Sequence, residues 1–558
     1  MITLNNINLS SIDLSGIDLR GIKLGLGGRG GGSGDGFPQL PGDVTRWHFG
    51  GLTNEMMAAM DDPRIEDADH KGRFLSFKNF AWSGMSGVGG YVENYNRWTK
   101  SAVRADITFT GHSFNVTSVK INQAQFYYQS SGGEQPFTVP SGTVIVKGLT
   151  DGQVLEYIYT DIEGRHVFTV KNDGIYTLPS FEFIAKGAYY GFQFNKVQES
   201  CNITIEQLPL YPGALVFDGV DDYGTCDNFP ILTKEKGYTV VALRQYLVEK
   251  STAYLTANGD SISNTSFIFE GNNYKDTWNF GRATTIQASR ILATQTSKQY
   301  DGVKLNIGTN TEGSNLLQVG KWSKSYSNVA IWELVFLDHD ATEEELTKIK
   351  DYFVKTYPWL FLDQAWTVTG KTNEDEDRAT IANITGNGND LVLSNFGFAE
   401  GSGYNEEGEY AGYLVTDGVD DKAVSKQFKF GKNFTVILDF KFPVKKIAYC
   451  GFDLSSKVRI QNLQGSGVYV VLKGNKTLIP SNVVRAVTSE GKVYDENWNE
   501  YNIVPGNISS NYTMVNLGFD GSNQFAESAT KLAGIYSSTL SKDDCIKAYN
   551  YLQTLKAK

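Results

Sequence analysis

Asp218, Asp221 and Asp222, in the run FDGVDDY at 217–223, place three carboxylates in one short stretch. Hard oxygen ligands so spaced suit a calcium ion. They equally suit a tight hairpin in which Gly219 takes positive φ and the Asp side chains bond their own backbone. A second copy, TDGVDDK at 416–422, keeps the turn but has Lys422 where Tyr223 stands. That exchange argues against a shared ligand role, and no metal is expected.

Catalytic constellations are missing. A glucanase needs two carboxylates on one strand face, one as nucleophile and one as acid. The acidic run Glu374-Asp375-Glu376-Asp377 has no alternating apolar residues and reads as a solvated loop. Gly84-Met85-Ser86-Gly87 continues into Val88, so the nucleophile elbow lacks its last glycine. His48, His70, His112, His166 and His339 are scattered, giving neither a metal triad nor a base. Gly25-x-Gly27-x-x-Gly30 matches the dinucleotide fingerprint formally, but more glycine follows instead of a helix. The chain is expected to be no enzyme and to carry no cofactor.

Binding a sugar asks for less: a flat ring against the apolar face of a pyranose, with amide or carboxylate groups near its hydroxyls. Three stretches hold both. They are 81–98 with Trp82, Tyr91, Tyr95 and Trp98, 272–281 with Tyr274 and Trp278, and 494–502 with Tyr494, Trp498 and Tyr501. These nine rings are the candidate glycan contacts. Core packing or cross-strand pairing competes for each, because aromatics are common in strands.

The elements that must hold such residues are strands. Aromatics make up 13% of the chain, and 58 Gly against 13 Pro point to many short strands joined by turns. A net charge of −11 opposes a phosphate backbone, so nucleic acid is excluded as a partner. Membrane insertion is excluded too, since no run of 18 apolar residues exists. The amino terminus has no continuous apolar region of the secretory kind. Cys201, Cys226, Cys450 and Cys545 stand far apart and read as buried thiols.

The chain repeats itself. ALVFDGVDDYGTC (214–226) matches YLVTDGVDDKAVS (413–425), and GYTVVALRQ (237–245) matches NFTVILDFK (433–441). Both copies close with a strand and a short helix, opened by Thr342-x-x-Glu345 and Ser541-x-x-Asp544 as capping boxes. Upstream, Thr53-Asn54-Glu55 and 73–82 pair with Thr372-Asn373-Glu374 and 389–398. Asn79 and Gly219 stand about 140 residues apart, Asn395 and Gly418 only about 23, so a domain is inserted in the first copy. Phe434, Val436, Leu438, Phe440 and Phe442 alternate with Thr435, Ile437, Asp439 and Lys441, the pattern of a strand with one buried face. The expected fold is all-β: tandem β-sandwiches, one carrying an inserted small β-sandwich, which resemble concanavalin-A-like modules of the jelly-roll kind.

Ahead of these modules, Ile2-x-Leu4, Ile7-x-Leu9, Ile12-x-Leu14, Ile17-x-Leu19 and Ile22-x-Leu24 recur every five residues. The run resembles pentapeptide repeats, whose coil consumes about twenty residues, so one coil has no neighbour to cover it. Ile7, Leu9, Ile12, Leu14, Ile17 and Leu19 are therefore expected to dock on copies of the chain or on a larger assembly. The expected division is an arm over 1–26, a glycine-rich linker over 27–42, a first sandwich from 43–97 and 211–361, the insertion 98–210 and a second sandwich over 362–558.

FDGVDDY followed about 110 residues later by a strand, an Asp, Thr-x-x-Glu and a helix resembles laminin-G-like and concanavalin-A-like lectin and glucanase modules. The order FAWSGMSGVGGYVEN (80–94), CNITIEQLPLYP (201–212), LVFDGVDDYG resembles head or tail fibres of phages infecting gut Bacteroidales. That resemblance implies a virion-surface protein assembled in the host cytoplasm, a homo-oligomer with a trimer favoured. Its implied partners are capsid or tail proteins and host-surface polysaccharide. A polysaccharide-degrading enzyme of the lectin-glucanase fold, or a decorative virion protein without ligand, are the alternatives.

Overall fold

The computed structural model describes residues 36–558 other than 100–103, 131–134, 151, 185–187, 234, 248–253, 261–264, 266, 272–290, 298–313, 386–387, 443–449, 456, 463–467, 473, 507–511, 520–524, 556 and 558. The arm, with Ile7, Leu9, Ile12, Leu14, Ile17 and Leu19, lies outside the described residues, as do Tyr274 and Trp278.

The chain is an all-β assembly of tandem sandwiches. In the first, strands Val44–His48, Gly87–Val88, Leu215–Asp218, Thr239–Tyr246, Leu292–Thr296 and Asn328–Leu337 form one sheet. Strands Arg64–Glu66, Phe74–Lys78, Tyr223–Cys226, Tyr254–Asn258, Phe267–Gly271 and Leu317–Val319 form the other. Their inward residues, among them Trp47, Phe77, Phe217, Val240 and Phe336, interdigitate as one core, as the period-two pattern requires. Between Gly87–Val88 and Leu215–Asp218 comes the insertion, a five-stranded and a four-stranded sheet around Phe114, Phe126, Leu155, Phe192 and Ile205. The second sandwich packs two eight-stranded sheets around Phe434, Val436, Leu438, Phe440, Ile460 and Val470.

The repeat extends to backbone detail. Asn79 and Asn395 have φ of 68° and 69°, Trp82 and Phe398 of 50° and 49°, Gly219 and Gly418 of 78° and 74°. Asn54 accepts from the Val88 N–H at 2.7 Å and Asn373 from the Tyr404 N–H at 2.8 Å, so one amide clamps the same strand in each copy. A Cβ on Gly219 would lie 2.7 Å from Asn328 Cβ, which leaves only glycine there.

The GVDD stretch is not the expected hairpin. Leu215–Asp218 belongs to one sheet and Tyr223–Cys226 to the facing one, and Tyr413–Asp417 and Lys422–Ser425 divide likewise. The turn is an arch between sheets. Strand pairing is non-local, and the turn residues alone leave that choice open.

Strand Thr435–Lys441 is likewise buried on both faces, not one. Helices Glu343–Thr356 and Lys542–Gln553 explain it. Their apolar sides, with Ile349, Phe353, Cys545, Ala548 and Leu552, share a core with Val241, Trp332 and Val335 of the first sandwich and Ile437, Ala486 and Leu532 of the second. The two sandwiches thus stand back to back across the closing helices. Thr342 and Glu345 form the complete capping box, and Ser541 accepts from the Asp544 N–H.

Two buried carboxylates within this layer are paired. Asp439 accepts from Tyr413 at 2.8 Å, Tyr549 at 3.1 Å and Gln553 at 3.2 Å, and pairs with Arg485. Burial alone would raise its pKa. The Arg485 and Lys531 charges and these donors outweigh that and hold the carboxyl below the usual range. On the first sandwich's side, Glu333 accepts from Tyr352 at 3.0 Å and Tyr357 at 3.1 Å and faces His48 at 2.8 Å. The insertion joins the same layer through Thr143, whose hydroxyl donates to Asn550 at 3.0 Å.

Candidate functional site

Within each arch the carboxylates hold the turn. Asp218 Oδ1 accepts from the Val220 N–H at 2.7 Å and the Asp221 N–H at 3.3 Å. Asp222, fully buried, accepts from the Asp218 N–H and the Ser86 hydroxyl, each at 3.0 Å. Asn79 donates to the Asp221 carbonyl at 3.0 Å, as Asn395 does to Asp420 at 3.1 Å. Ligand atoms of Asp218, Asp221 and Asp222 lie within 4.8 Å of one another, but the two inner carboxylates are taken up by this scaffold. Burial first, then the Asp218 and Asp221 charges, push Asp222 up to about 7 against the two hydrogen bonds that lower it.

The arch of the first copy also lines a cleft of about 440 Å³ against the insertion. Ser83, Met85, Ser86 and Asp218 form one wall, and Glu93, Asn94, Arg97, Phe137 and Tyr190 stand opposite. The 3-10 turn Tyr95–Arg97 and the residues leading into it bring Glu93, Asn94 and Arg97 to the second wall. Asn94 caps it by accepting from the Asn96 N–H at 3.1 Å and reaches across to donate to Ser83 Oγ at 2.9 Å. That hydrogen bond ties the walls together.

Glu93 is pinned from both ends. Gln207 accepts from its N–H and donates to its carbonyl, both at 2.9 Å. Tyr190 donates to Oε1 at 2.8 Å and Trp98 to Oε2 at 3.3 Å. Burial raises its carboxyl to about 7, against the opposing pull of those two donors and of the Arg97 charge. Arg97, at the end of the turn, is exposed, and among the described residues no carboxylate lies within ion-pair distance of its guanidinium. Phe137 presents a ring that is 37% exposed, backed by Phe183 at 5.2 Å and Tyr128 at 6.4 Å.

Four of the expected glycan rings are closed to any sugar. Tyr95 and Trp98 are 1% and 5% exposed in the core of the insertion, and Tyr494 and Trp498 are each 2% exposed in the layer between the sandwiches. Packing won over exposure because both loops fold back over apolar sheets. Trp82 is half-buried and stacked on Phe80 at 4.8 Å, in the position that Phe398 fills in the second copy. Tyr91 stacks on His112 at 4.6 Å, and Tyr501 donates to Asp495 at 2.9 Å. The described rings do not converge on one surface. Their loop 81–98 does line the cleft, through the residues between the rings: Glu93, Asn94 and Arg97 lie inside the stretch first read for its aromatics. Phe137 and Tyr190 carry no local signal, since strand pairing across the insertion brings them in.

No known family model matches this chain, and no curated protein does. Among solved structures it is similar to Trypanosoma rangeli sialidase in complex with sialic acid, at 8% identity and a TM-score of 0.26 over 87% of this chain and 67% of that one. It is also similar to the binding domain of Paraclostridial Mosquitocidal Protein 1, at 15% identity and a TM-score of 0.20 over 34% and 51%. The CBM22-1-CBM22-2 tandem domain of Paenibacillus barcinonensis Xyn10C matches at 10% identity and a TM-score of 0.15 over 46% and 99%. Likeness at that level carries no argument about activity, which must rest on this chain's own residues.

Proposed function

We propose that this chain is a fibre protein of a phage virion, head or tail, that holds host-surface glycan in the cleft between its first sandwich and the insertion. One observation carries the binding reading: a part-exposed aromatic ring, Phe137, shares a preformed cleft with the polar side chains of Ser83, Asn94 and Arg97. Ring faces cover the apolar side of a pyranose while such groups bond its hydroxyls, and the volume suits one or two sugar units. The virion role is supported by the resemblance of 80–94, 201–212 and 215–224 to such fibres and by the five-residue Ile and Leu repeat ahead of the modules. Calorimetry of the full chain against host capsular oligosaccharides tests the binding. Phe137→Ala should abolish it and leave the thermal melt in place, whereas undiminished binding refutes the site. Light scattering with and without residues 1–35 tests the arm: the full chain should be a trimer, and a monomer in both forms overturns the docking role.

Glu93 favours a second reading. A carboxyl titrating near 7 in a cleft matches a general acid. Release of reducing ends from the bound oligosaccharide, lost in Glu93→Gln, would establish hydrolysis; stable binding without release establishes a binder.

A further inference from the structure

The cleft has an asymmetry that a neutral sugar leaves unused. Its two acids are both engaged: Asp218 Oδ1 holds the arch, and both oxygens of Glu93 accept from Tyr190 and Trp98. Its cation is not. Arg97 extends from the capped turn with no carboxylate in ion-pair range among the described residues, beside Asn94 and across from Ser83. A guanidinium presents a planar fork of donors that matches a carboxylate in two parallel hydrogen bonds.

Building on the glycan-binding reading above, we propose that the cleft selects an acidic saccharide, a hexuronic-acid unit whose carboxylate seats on Arg97 while its ring lies against Phe137. The groups facing Glu93 decide how the selection varies with pH. They are Arg97 on its own turn, Tyr190 on strand Tyr189–Phe194, Tyr157 on strand Leu155–Asp161, buried Tyr95, and Asp218 across the cleft. Of these only Arg97 is a cation. With Glu93 protonated, the Arg97 charge is available to the ligand. Once Glu93 ionises, its charge offsets that of Arg97 at longer range and repels the incoming carboxylate. Acidic-sugar affinity therefore falls as pH rises through about 7.

The test uses the full chain and paired probes, tetragalacturonic acid and its carboxyl-reduced counterpart, titrated at 0.15 M salt and at pH 5.5 and 8.5. The acid form should bind about tenfold or more tightly than the reduced form at pH 5.5. Arg97→Gln, a change at an exposed side chain, should erase that preference, bringing the acid form's affinity down to the one the same variant shows for the reduced form. Raising the pH should weaken the acid form several-fold and leave the reduced form alone. Equal binding of both probes, abolished together by Phe137→Ala, overturns the acidic selection and keeps the glycan site. Binding of neither probe at millimolar concentration overturns both.

Discussion

Replacing Asp222 by Asn should make the protein more stable, and the gain should grow with pH. The carboxyl is fully buried in the first arch and rises from 3.8 to about 7 on folding. A carboxylate whose folded pKa is raised binds its proton more tightly when native. Its stabilising effect is thus complete below about pH 4 and is lost as pH climbs to 7. At about 1.4 kcal/mol per pH unit, the shift corresponds to at most about 4 kcal/mol over the whole window. Between pH 5 and pH 8 the part still to be lost is about 3 kcal/mol. Asparagine keeps the shape: its carbonyl accepts from the Asp218 N–H, and its amide donates to Ser86 Oγ, where the acid now accepts. Urea denaturation of both proteins at pH 5 and pH 8, followed on the transition that the substitution moves, gives the difference directly. The variant's advantage should increase by about 2–3 kcal/mol between the two pH values. An advantage that is the same at both, or negative at pH 8, would show that Asp222 is ionised in the fold and that the reasoning about its burial is wrong.

Gly219→Ala should cost about 2–3 kcal/mol by calorimetric melting, because φ is 78° and the new Cβ would meet Asn328 Cβ at 2.7 Å. Arg485→Ala should cost about 3–5 kcal/mol, leaving the Asp439 carboxylate buried with phenol and amide donors but without its cation. Iodoacetamide on the native protein should label Cys201 first. Cys226 and Cys545 are buried with thiol pKa values pushed up, and Cys450 is also buried.

Much of the architecture was legible because both copies keep the residues that make the same side-chain-to-backbone contacts. Asn79 and Asn395, Asn54 and Asn373, and the paired GVDD arches each make the same hydrogen bonds in both copies. The inserted domain showed as a break in that spacing. What stayed hidden depends on partners distant in the chain. The arch crosses between sheets because Tyr223–Cys226 pairs with Phe74–Lys78 and Leu317–Val319. Ile437 is buried because it faces the apolar layer that helix Lys542–Gln553, about a hundred residues on, helps to fill. Tyr95 and Trp98 looked like contact rings in a polar loop, yet the loop serves to aim Glu93, Asn94 and Arg97 at the cleft.

The contact between Thr143 and Asn550 spans 407 residues, so the insertion gains this support only after the whole second sandwich has been synthesised. Until helix Lys542–Gln553 leaves the ribosome, the first sandwich can fold under its own closing helix, but the part of that apolar layer filled by Cys545, Ala548 and Leu552 remains open. A chain cut short before that helix would expose this face and aggregate, which restricts assembly to molecules in which the helix has docked.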